Sequence, residues 1–370
     1  MLNYRRMPIE IESPEQLGYG SIACNLAESS VTDALLPDLH INLGDLVLAY
    51  GDHYGKPELR QLIASEAESL KADDVLMTVG AAAALFIVST ALLKPDDHVL
   101  VAFPNYATNI ETPRAIGCQM DFVRLNFEEG FRLDVEALAE RITPQTKLVS
   151  LTCPHNPTGA VISENDLQRL IEIIEAKNCT LLFDETYREM NFNGAMPPAA
   201  SLSSRAISVS SLSKTYGLPG IRMGWLLCRD PHLMQTFLAA KEQIFISNSV
   251  VDEEIAYRFL QHKADHLRRI NAHIQTNFAV MKKWMAEQSD MEWVEPGGGV
   301  VCFPRIKADS GVDVEKFYQI LNTVYKTQTG PGHWFESERR YMRIGYGWPN
   351  TTELENGLRN ISASLLAAKD

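Results

Sequence analysis

A lysine among three serines, Ser210-Ser211-Leu212-Ser213-Lys214, ends the apolar run Ala206-Ile207-Ser208-Val209, and Arg222 follows shortly after. A primary amine, small hydroxyls and a guanidinium at the end of one strand suit an aldehyde cofactor that carries a phosphate. The amine can condense with the aldehyde as a Schiff base. The hydroxyls and guanidinium can hold the phosphate dianion through charge-assisted hydrogen bonds. Taken alone, the stretch could equally be a solvated lysine in a serine-rich loop. It also fits the S-x-x-K of penicillin-binding proteins and serine β-lactamases. That set needs a K-T-G, which occurs nowhere in the chain.

The elements around this stretch decide between the readings. Residues 75–79 form a short apolar strand ending in Gly80-Ala81-Ala82-Ala83-Ala84, which opens a helix to 93. Small residues at such a turn leave the first backbone N–H groups bare for an anion; a plain Ala-rich core helix is compatible with this. Further strands are expected at 98–102, 120–125, 147–152, 180–183, 206–209 and 224–228. Helices are expected at 57–70, 111–116 and 135–141, and after the capping box Ser163-Glu164-Asn165-Asp166. Short apolar strands without alternation, separated by amphipathic helices, indicate an α/β fold with a mostly parallel central sheet covered by helices. Ligands of such sheets bind beyond the carboxyl ends of the strands. There fall Gly80-Ala81, Tyr106, Asn156, Asp184 with Tyr187, and Ser211 with Lys214.

The rest of the chain reads as helices over 230–290, a strand over 291–307 entered through a glycine turn, a loop at 330–335 and a strand at 341–346 carrying Arg343. A final helix covers 352–367. This suggests a smaller α/β C-terminal domain. The expected division is an irregular, proline-punctuated N-terminal arm (1–45), a large domain (46–272) and a small domain (273–370). The arm contains Asn25-Leu26-Ala27-Glu28-Ser29-Ser30, which either lines a site or lies on the surface.

The net charge of −13 argues against a nucleic-acid partner and against an anionic membrane surface. The six cysteines form no C-x-x-C pair, so no zinc, other metal or redox motif is expected. They read as reduced core thiols of a cytoplasmic protein. Residues 1–10 lack a signal-peptide core, and the longest apolar run, 81–93, is too short to span a bilayer.

Together these residues resemble the class I/II aminotransferases of the fold-type I pyridoxal-phosphate enzymes. The resemblance rests on Asn156-Pro157-Thr158-Gly159, Asp184-x-x-Tyr187, Ser211-x-x-Lys214 with Arg222, and Arg343, in that order. It implies that Lys214 forms the Schiff base with pyridoxal phosphate and shuttles the α-proton. Asp184 would pair with the pyridine nitrogen, keeping the ring an electron sink. Tyr187 and Asn156 would hydrogen-bond the ring oxygen, and Tyr106 would stack on the ring. Ala81 and Ala82, with Ser211, Ser213 and Arg222, would bind the phosphate. Tyr50 matches the tyrosine that reaches the phosphate of the neighbouring subunit, implying a homodimer with shared active sites. Arg343 matches the arginine that takes the substrate α-carboxylate.

Departures from the commonest pattern are His155, the alanines of the phosphate turn, and an arm segment, Glu28-Ser29-Ser30-Val31, without the usual glycine. The arm and the run 297–305 are similar to capreomycidine synthase-like members, which handle arginine-derived substrates by elimination and cyclisation. Glu28 would then meet a guanidinium. The main reading is an aminotransferase acting on an L-α-amino acid and a 2-oxo acid. The alternative is a pyridoxal-phosphate lyase or cyclase. A non-catalytic sensor is disfavoured by the presence of Lys214.

Overall fold

The computed structural model describes residues 2–369. The arm is more ordered than expected. It holds two short helices, α1 (Pro8–Glu12) and α2 (Pro14–Leu17), and a strand, β1 (Cys24–Asn25). Next come α3 (Pro57–Ala64), β2 (Val75–Val79), α4 (Gly80–Leu92), β3 (His98–Phe103), α5 (Ala107–Ile116), β4 (Gln119–Arg124), α6 (Val135–Arg141), β5 (Thr146–Thr152), α7 (Glu164–Lys177), β6 (Thr180–Asp184), α8 (Ala199–Leu202), β7 (Ala206–Ser211) and β8 (Met223–Cys228). Helices α9 (Pro231–Ile244), α10 (Val250–Leu260) and α11 (Lys263–Ala286) follow. The C-terminal region has β9 (Met291–Glu292), β10 (Val301–Cys302), β11 (Arg305–Ile306), α12 (Val314–Thr323), β12 (Thr327–Gln328), β13 (Gly330–Pro331), β14 (Met342–Gly345) and α13 (Thr351–Ala367).

The central sheet has seven strands in the order β2-β8-β7-β6-β5-β3-β4. Only β8 runs antiparallel to its neighbours, so the other six present their carboxyl ends at one edge. Strands β5 to β8 are almost wholly buried, as apolar runs sandwiched between helices must be. Separate apolar clusters fill the two faces of the sheet, one around Leu85, Val101 and Phe237 and one around Leu138, Leu170 and Phe183. Local signals set the helix starts. Ser163 accepts from the Asp166 N–H at 3.0 Å to cap α7, and Asp134 caps α6 through the Ala137 N–H at 2.9 Å.

Two expected elements differ. Helix α3 ends at Ala64 rather than 70, because the next turn hands Glu66 to Arg188 and Lys263, a tertiary contact. The strand expected over 291–307 is three short pieces, interrupted where Pro296 and Pro304 cannot donate a ladder hydrogen bond. A further apolar cluster joins α11, α12, α13 and β14, and takes in Leu26 and Val31 from the arm. The arm is tied down by parallel pairing of β1 with β12 and by Gly345 N–H donating to the Leu26 carbonyl at 2.8 Å. Gly345 is required there: a Cβ would lie 1.9 Å from the Glu28 carbonyl oxygen. Glu28 is thereby fixed beside the strand that carries Arg343. Among the described residues, no helix is long and apolar enough to cross a membrane, and no cluster of His, Cys, Asp or Glu could hold a metal ion.

Candidate active site

The carboxyl ends of β2, β3, β5, β6 and β7 open into one cavity of about 540 Å³, roofed by the arm and closed on the far side by β14 and Trp334. It brings together Glu28, Ala81, Ala82, Tyr106, Asn156, Asp184, Tyr187, Ser211, Ser213, Lys214, Arg222 and Arg343. Of the site residues expected from the sequence, Tyr50 lies elsewhere. It sits on an open loop, 85 % exposed, with no contact to the cavity of its own chain.

At one end, α4 begins with no side-chain cap at Val79. Its first amides and the Arg222 guanidinium converge because Gly80 adopts φ +76° and brings its backbone so close that a Cβ would lie 2.6 Å from Arg222 Nη2. Arg222 itself takes a left-handed φ of 47° and donates to the Pro219 carbonyl at 2.8 Å and to Ser213 Oγ at 3.4 Å. An uncapped helix start, a guanidinium and two hydroxyls make an anion cup.

Asp184 closes β6 in full burial. Thr186 holds its Oδ1 with a hydroxyl at 2.6 Å and an N–H at 3.1 Å. Burial still drives this carboxyl above its usual range, the Thr186 bonds opposing. No cation pairs with it among the described residues. Lys214 is the counterpart: burial pushes its amine below the usual lysine range, and its Nζ has no hydrogen-bond partner among the described residues. A neutral amine is a competent nucleophile and base.

Arg343 is 3 % exposed. It donates from Nη1 to Asn156 Oδ1 at 3.0 Å and from Nη2 to the Ala27 carbonyl at 2.6 Å, and its Nε has no partner. Phe335 lies 5.1 Å from its guanidinium. This buried, under-satisfied guanidinium is a ready carboxylate site. The Tyr187 hydroxyl, in the cavity as expected, donates to the Ser29 carbonyl of the arm at 2.6 Å.

Sequence reasoning missed the layer beneath. Asn105 Oδ1 accepts from the Thr152 hydroxyl at 2.9 Å, from the Asn109 amide at 3.2 Å and from the Tyr106 N–H at 2.7 Å, fixing the backbone that presents the Tyr106 ring. The only signal for it was a run of polar residues at strand ends. Thr215 likewise donates to the Thr186 carbonyl at 2.6 Å, linking the Lys214 and Asp184 loops. His155 is buried, accepts or donates at Nδ1 with the Thr158 hydroxyl at 2.8 Å, and is held down to a pKa of about 4 by burial. It lies behind the site as a neutral structural ring.

These residues fit pyridoxal phosphate on physical grounds. The anion cup suits its phosphate, the uncompensated Asp184 suits a protonated ring nitrogen, and the unpartnered Lys214 suits its aldehyde.

Comparison with known proteins agrees. The model of the family "Aminotransferase class I and II" matches residues 23–361. Capreomycidine synthase of Streptomyces vinaceus is 31% identical over 329 residues, covering 87% of this chain and 82% of that protein. The arginine–pyruvate transaminase AruH of Pseudomonas aeruginosa is 36% identical over 195 residues, 50% of each chain. A PLP-dependent aminotransferase from Streptococcus suis superposes with a TM-score of 0.91 at 27% identity, covering 99% of this chain and 100% of that one. The PLP-dependent cyclase OrfR superposes with a TM-score of 0.88 at 27% identity, covering 99% of both chains. The chain belongs to the class I and II aminotransferases, enzymes that use pyridoxal phosphate to transfer the amino group of an amino acid to a 2-oxo acid.

Proposed function

We propose that the transfer is carried by Lys214, Asp184 and Arg343 acting across the single cavity, with an L-α-amino acid as donor and a 2-oxo acid as acceptor. The observation that carries this is the placement of a buried, unpartnered amine and a buried, under-satisfied guanidinium in that one cavity. Arg343 takes the substrate carboxylate in a bidentate pair and fixes the orientation of Cα. Bound pyridoxal phosphate supplies the electron sink for the Cα carbanion. Lys214 Nζ, its amine pushed below the usual lysine range by burial, takes the Cα proton and holds it for return. Asp184 would keep the proton on the ring nitrogen. Asn156, whose Nδ2 is unpaired among the described residues, would donate to the ring oxygen, with Tyr187 a second donor on releasing Ser29. Tyr106 would pack on the ring, and Ala81, Ala82, Ser211, Ser213 and Arg222 would hold the phosphate.

The working unit we infer is a homodimer. Tyr50, Leu48 and Val47 are 85 %, 76 % and 76 % exposed on one loop, and large side chains so placed suit burial against a second copy, whose phosphate site Tyr50 would complete. The division into an arm (1–45), a large domain (46–272) and a small domain (273–370) is supported by the separate C-terminal apolar cluster. A cytoplasmic setting is supported by six free thiols.

A second reading, elimination and cyclisation at the same carbanion, is favoured by two findings, the similarity to capreomycidine synthase over 87% of the chain and the superposition on the cyclase OrfR. A single experiment separates the two. Holoenzyme is mixed with L-amino acids and no oxo acid, while cofactor absorbance and product per site are followed. One equivalent of oxo acid with loss of the carbonyl form of the cofactor, restored by adding an acceptor, means amino transfer. Many equivalents with the absorbance retained mean elimination or cyclisation. Lys214→Ala is expected to fold and to bind cofactor non-covalently, with turnover reduced by about 10²-fold or more. Multiple turnovers at the wild-type rate would overturn the assignment.

A further inference from the structure

A second cavity lies behind the arm. Its volume is about 280 Å³, and it shares no lining residue with the catalytic one. The wall between the two is a single stretch of the arm. Ser30 and Asp33 line the catalytic cavity, whereas Val31, Thr32 and Ala34 line the second. That stretch is bonded to the Lys214 loop. Val31 N–H donates to the Lys214 carbonyl at 3.1 Å, and Ala34 N–H donates to the Gly217 carbonyl at 2.8 Å. The fit is close, since a Cβ on Gly217 would overlap the Thr32 carbonyl oxygen. Tyr216, two residues past Lys214, is also a wall of the second cavity.

The far wall is α11, and its inward stripe is not apolar. His266, Arg269, Ile270 and His273 recur at the i, i+3, i+4, i+7 spacing that puts side chains on one side of a helix. No residue of α11 before Ile274 is buried, so this stripe covers no core and looks onto the void. Arg268 is paired with Asp265 at 3.1 Å, but Arg269 has no carboxylate partner among the described residues. Its Nη2 donates to His266 Nδ1 at 2.8 Å. A guanidinium can only donate, so His266 Nδ1 is the acceptor and Nε2 carries the ring proton. Burial first, and then the Arg269 charge, lower the pKa of this ring, in keeping with that tautomer. The ring is stacked on Phe259, with centroids 3.9 Å apart and planes 6° apart, which fixes its orientation. An unpaired cation and a held N–H donor thus lie beside the apolar side chains of Phe259, Ile270, Leu39 and Val31. The one acid on the wall, Asp38, is exposed at the rim, where solvent screens it.

We propose that this cavity is a second binding site, for a small carboxylate with a short apolar tail, and that filling it locks the arm over the catalytic cavity. The carboxylate takes the Arg269 guanidinium and the His266 N–H as charge-assisted donors. The tail lies on Phe259 and Ile270 against the arm. A volume just below the range of ordinary ligand pockets suits a molecule of that size. Five of the eleven walls belong to the arm, so the site exists only while the arm is docked. A ligand there binds the docked state alone and by linkage favours it. The docked arm roofs the catalytic cavity, so the site gives a metabolite control over access to Lys214.

The test reads the site directly. Holoenzyme labelled at histidine Cε1 is titrated with hexanoate, and the His266 resonance is assigned by its absence in His266→Gln. The His266 signal should shift and saturate. Acetate should bind about tenfold more weakly for want of a tail, and hexanamide about tenfold more weakly for want of charge. In Arg269→Gln the affinity for hexanoate should fall about tenfold or more. In Asp38→Asn it should not fall.

Hydrogen exchange reads the coupling. The arm peptide that spans Val31 and Ala34 should exchange about threefold more slowly, or slower still, on saturation with hexanoate. In Arg269→Gln it should not slow. That variant keeps Arg343, so protection from hexanoate held in the catalytic cavity would persist there and be recognised. A His266 signal that does not move, equal affinity for hexanoate and acetate, or unchanged exchange on saturation would overturn the proposal. None of these readouts depends on turnover, so the aminotransferase reading stands or falls separately.

Discussion

At Arg343 a single guanidinium has two hydrogen-bonded nitrogens and one idle one, in full burial. Such a group is costly to bury unless a ligand completes its shell. Arg343→Lys keeps the charge but loses the planar fork. We expect KM for the amino donor to rise about tenfold or more with a smaller change in kcat, measured by steady-state kinetics. A KM unchanged within twofold would show that the carboxylate binds elsewhere. Lys214 and Asp184 are shifted by the same cause, burial, in opposite directions along the pKa scale. In both cases burial favours the neutral form, so each is primed for a partner that the polypeptide alone does not supply.

Among the elements, the junction of β2, α4 and β8 sets the phosphate cup. Gly80→Ala forces a Cβ to within 2.6 Å of Arg222 Nη2 at a φ of +76°. We expect a loss of roughly 1–2 kcal/mol, read as weaker cofactor binding in a spectroscopic titration of the apoenzyme. Gly220→Ala is the control, since a Cβ there meets nothing within 4 Å.

The junction of β6, β7 and α8 is governed by Glu185. Its Oε1 accepts from the Ala199 N–H at 2.6 Å and the Ser208 hydroxyl at 2.9 Å. Burial raises this carboxyl from 4.5 to about 7, with Arg188 opposing. Between those values the folded chain holds a proton that the unfolded chain has released, so this group makes stability fall as pH rises across the window. In Glu185→Gln both acceptor bonds can persist without the titration. The drop in apoenzyme Tm between about pH 5 and pH 7.5 should therefore be smaller in the variant than in the wild type. An equal or steeper drop would mean that Glu185 is ionised throughout.

For the molecule as a whole, the question is where Tyr50 acts. Within one chain it is far out on the surface. If it completes the site of a second copy, a hybrid of Lys214→Ala and Tyr50→Phe chains has one intact site, which combines the Lys214 of one chain with the Tyr50 of the other. Mixing the two weak variants after gentle dissociation should then restore activity to about a quarter of wild type, since random pairing makes half of the dimers hybrid and each hybrid has one good site. If Tyr50 served its own chain, no intact site could form and the mixture would stay as weak as its parts. Loss of activity on dilution, matched to monomer appearance in sedimentation, would be the corresponding sign of a shared site.

The sheet edge was legible in the sequence because it depends on local signals. Unalternated apolar runs must be buried strands, and the polar residues that end them must emerge at one edge, so Asn156, Asp184, Ser211 and Lys214 could be placed together before any coordinate was known. The Ser163 cap was legible for the same reason. What only the tertiary structure decided lies in contacts across long stretches of chain. The arm reads as irregular because its elements are two to five residues long, too short for periodicity to register. Its position comes from β12, Gly345 and the Trp334 loop, some three hundred residues away. Sequence separation likewise hid the bond from Tyr187 to Ser29, 158 residues apart, and the arm carboxylates that line the same cavity as Arg343. Sequence periodicity records which face of an element is buried, whereas the charge balance of a cavity exists only once remote segments have closed around it.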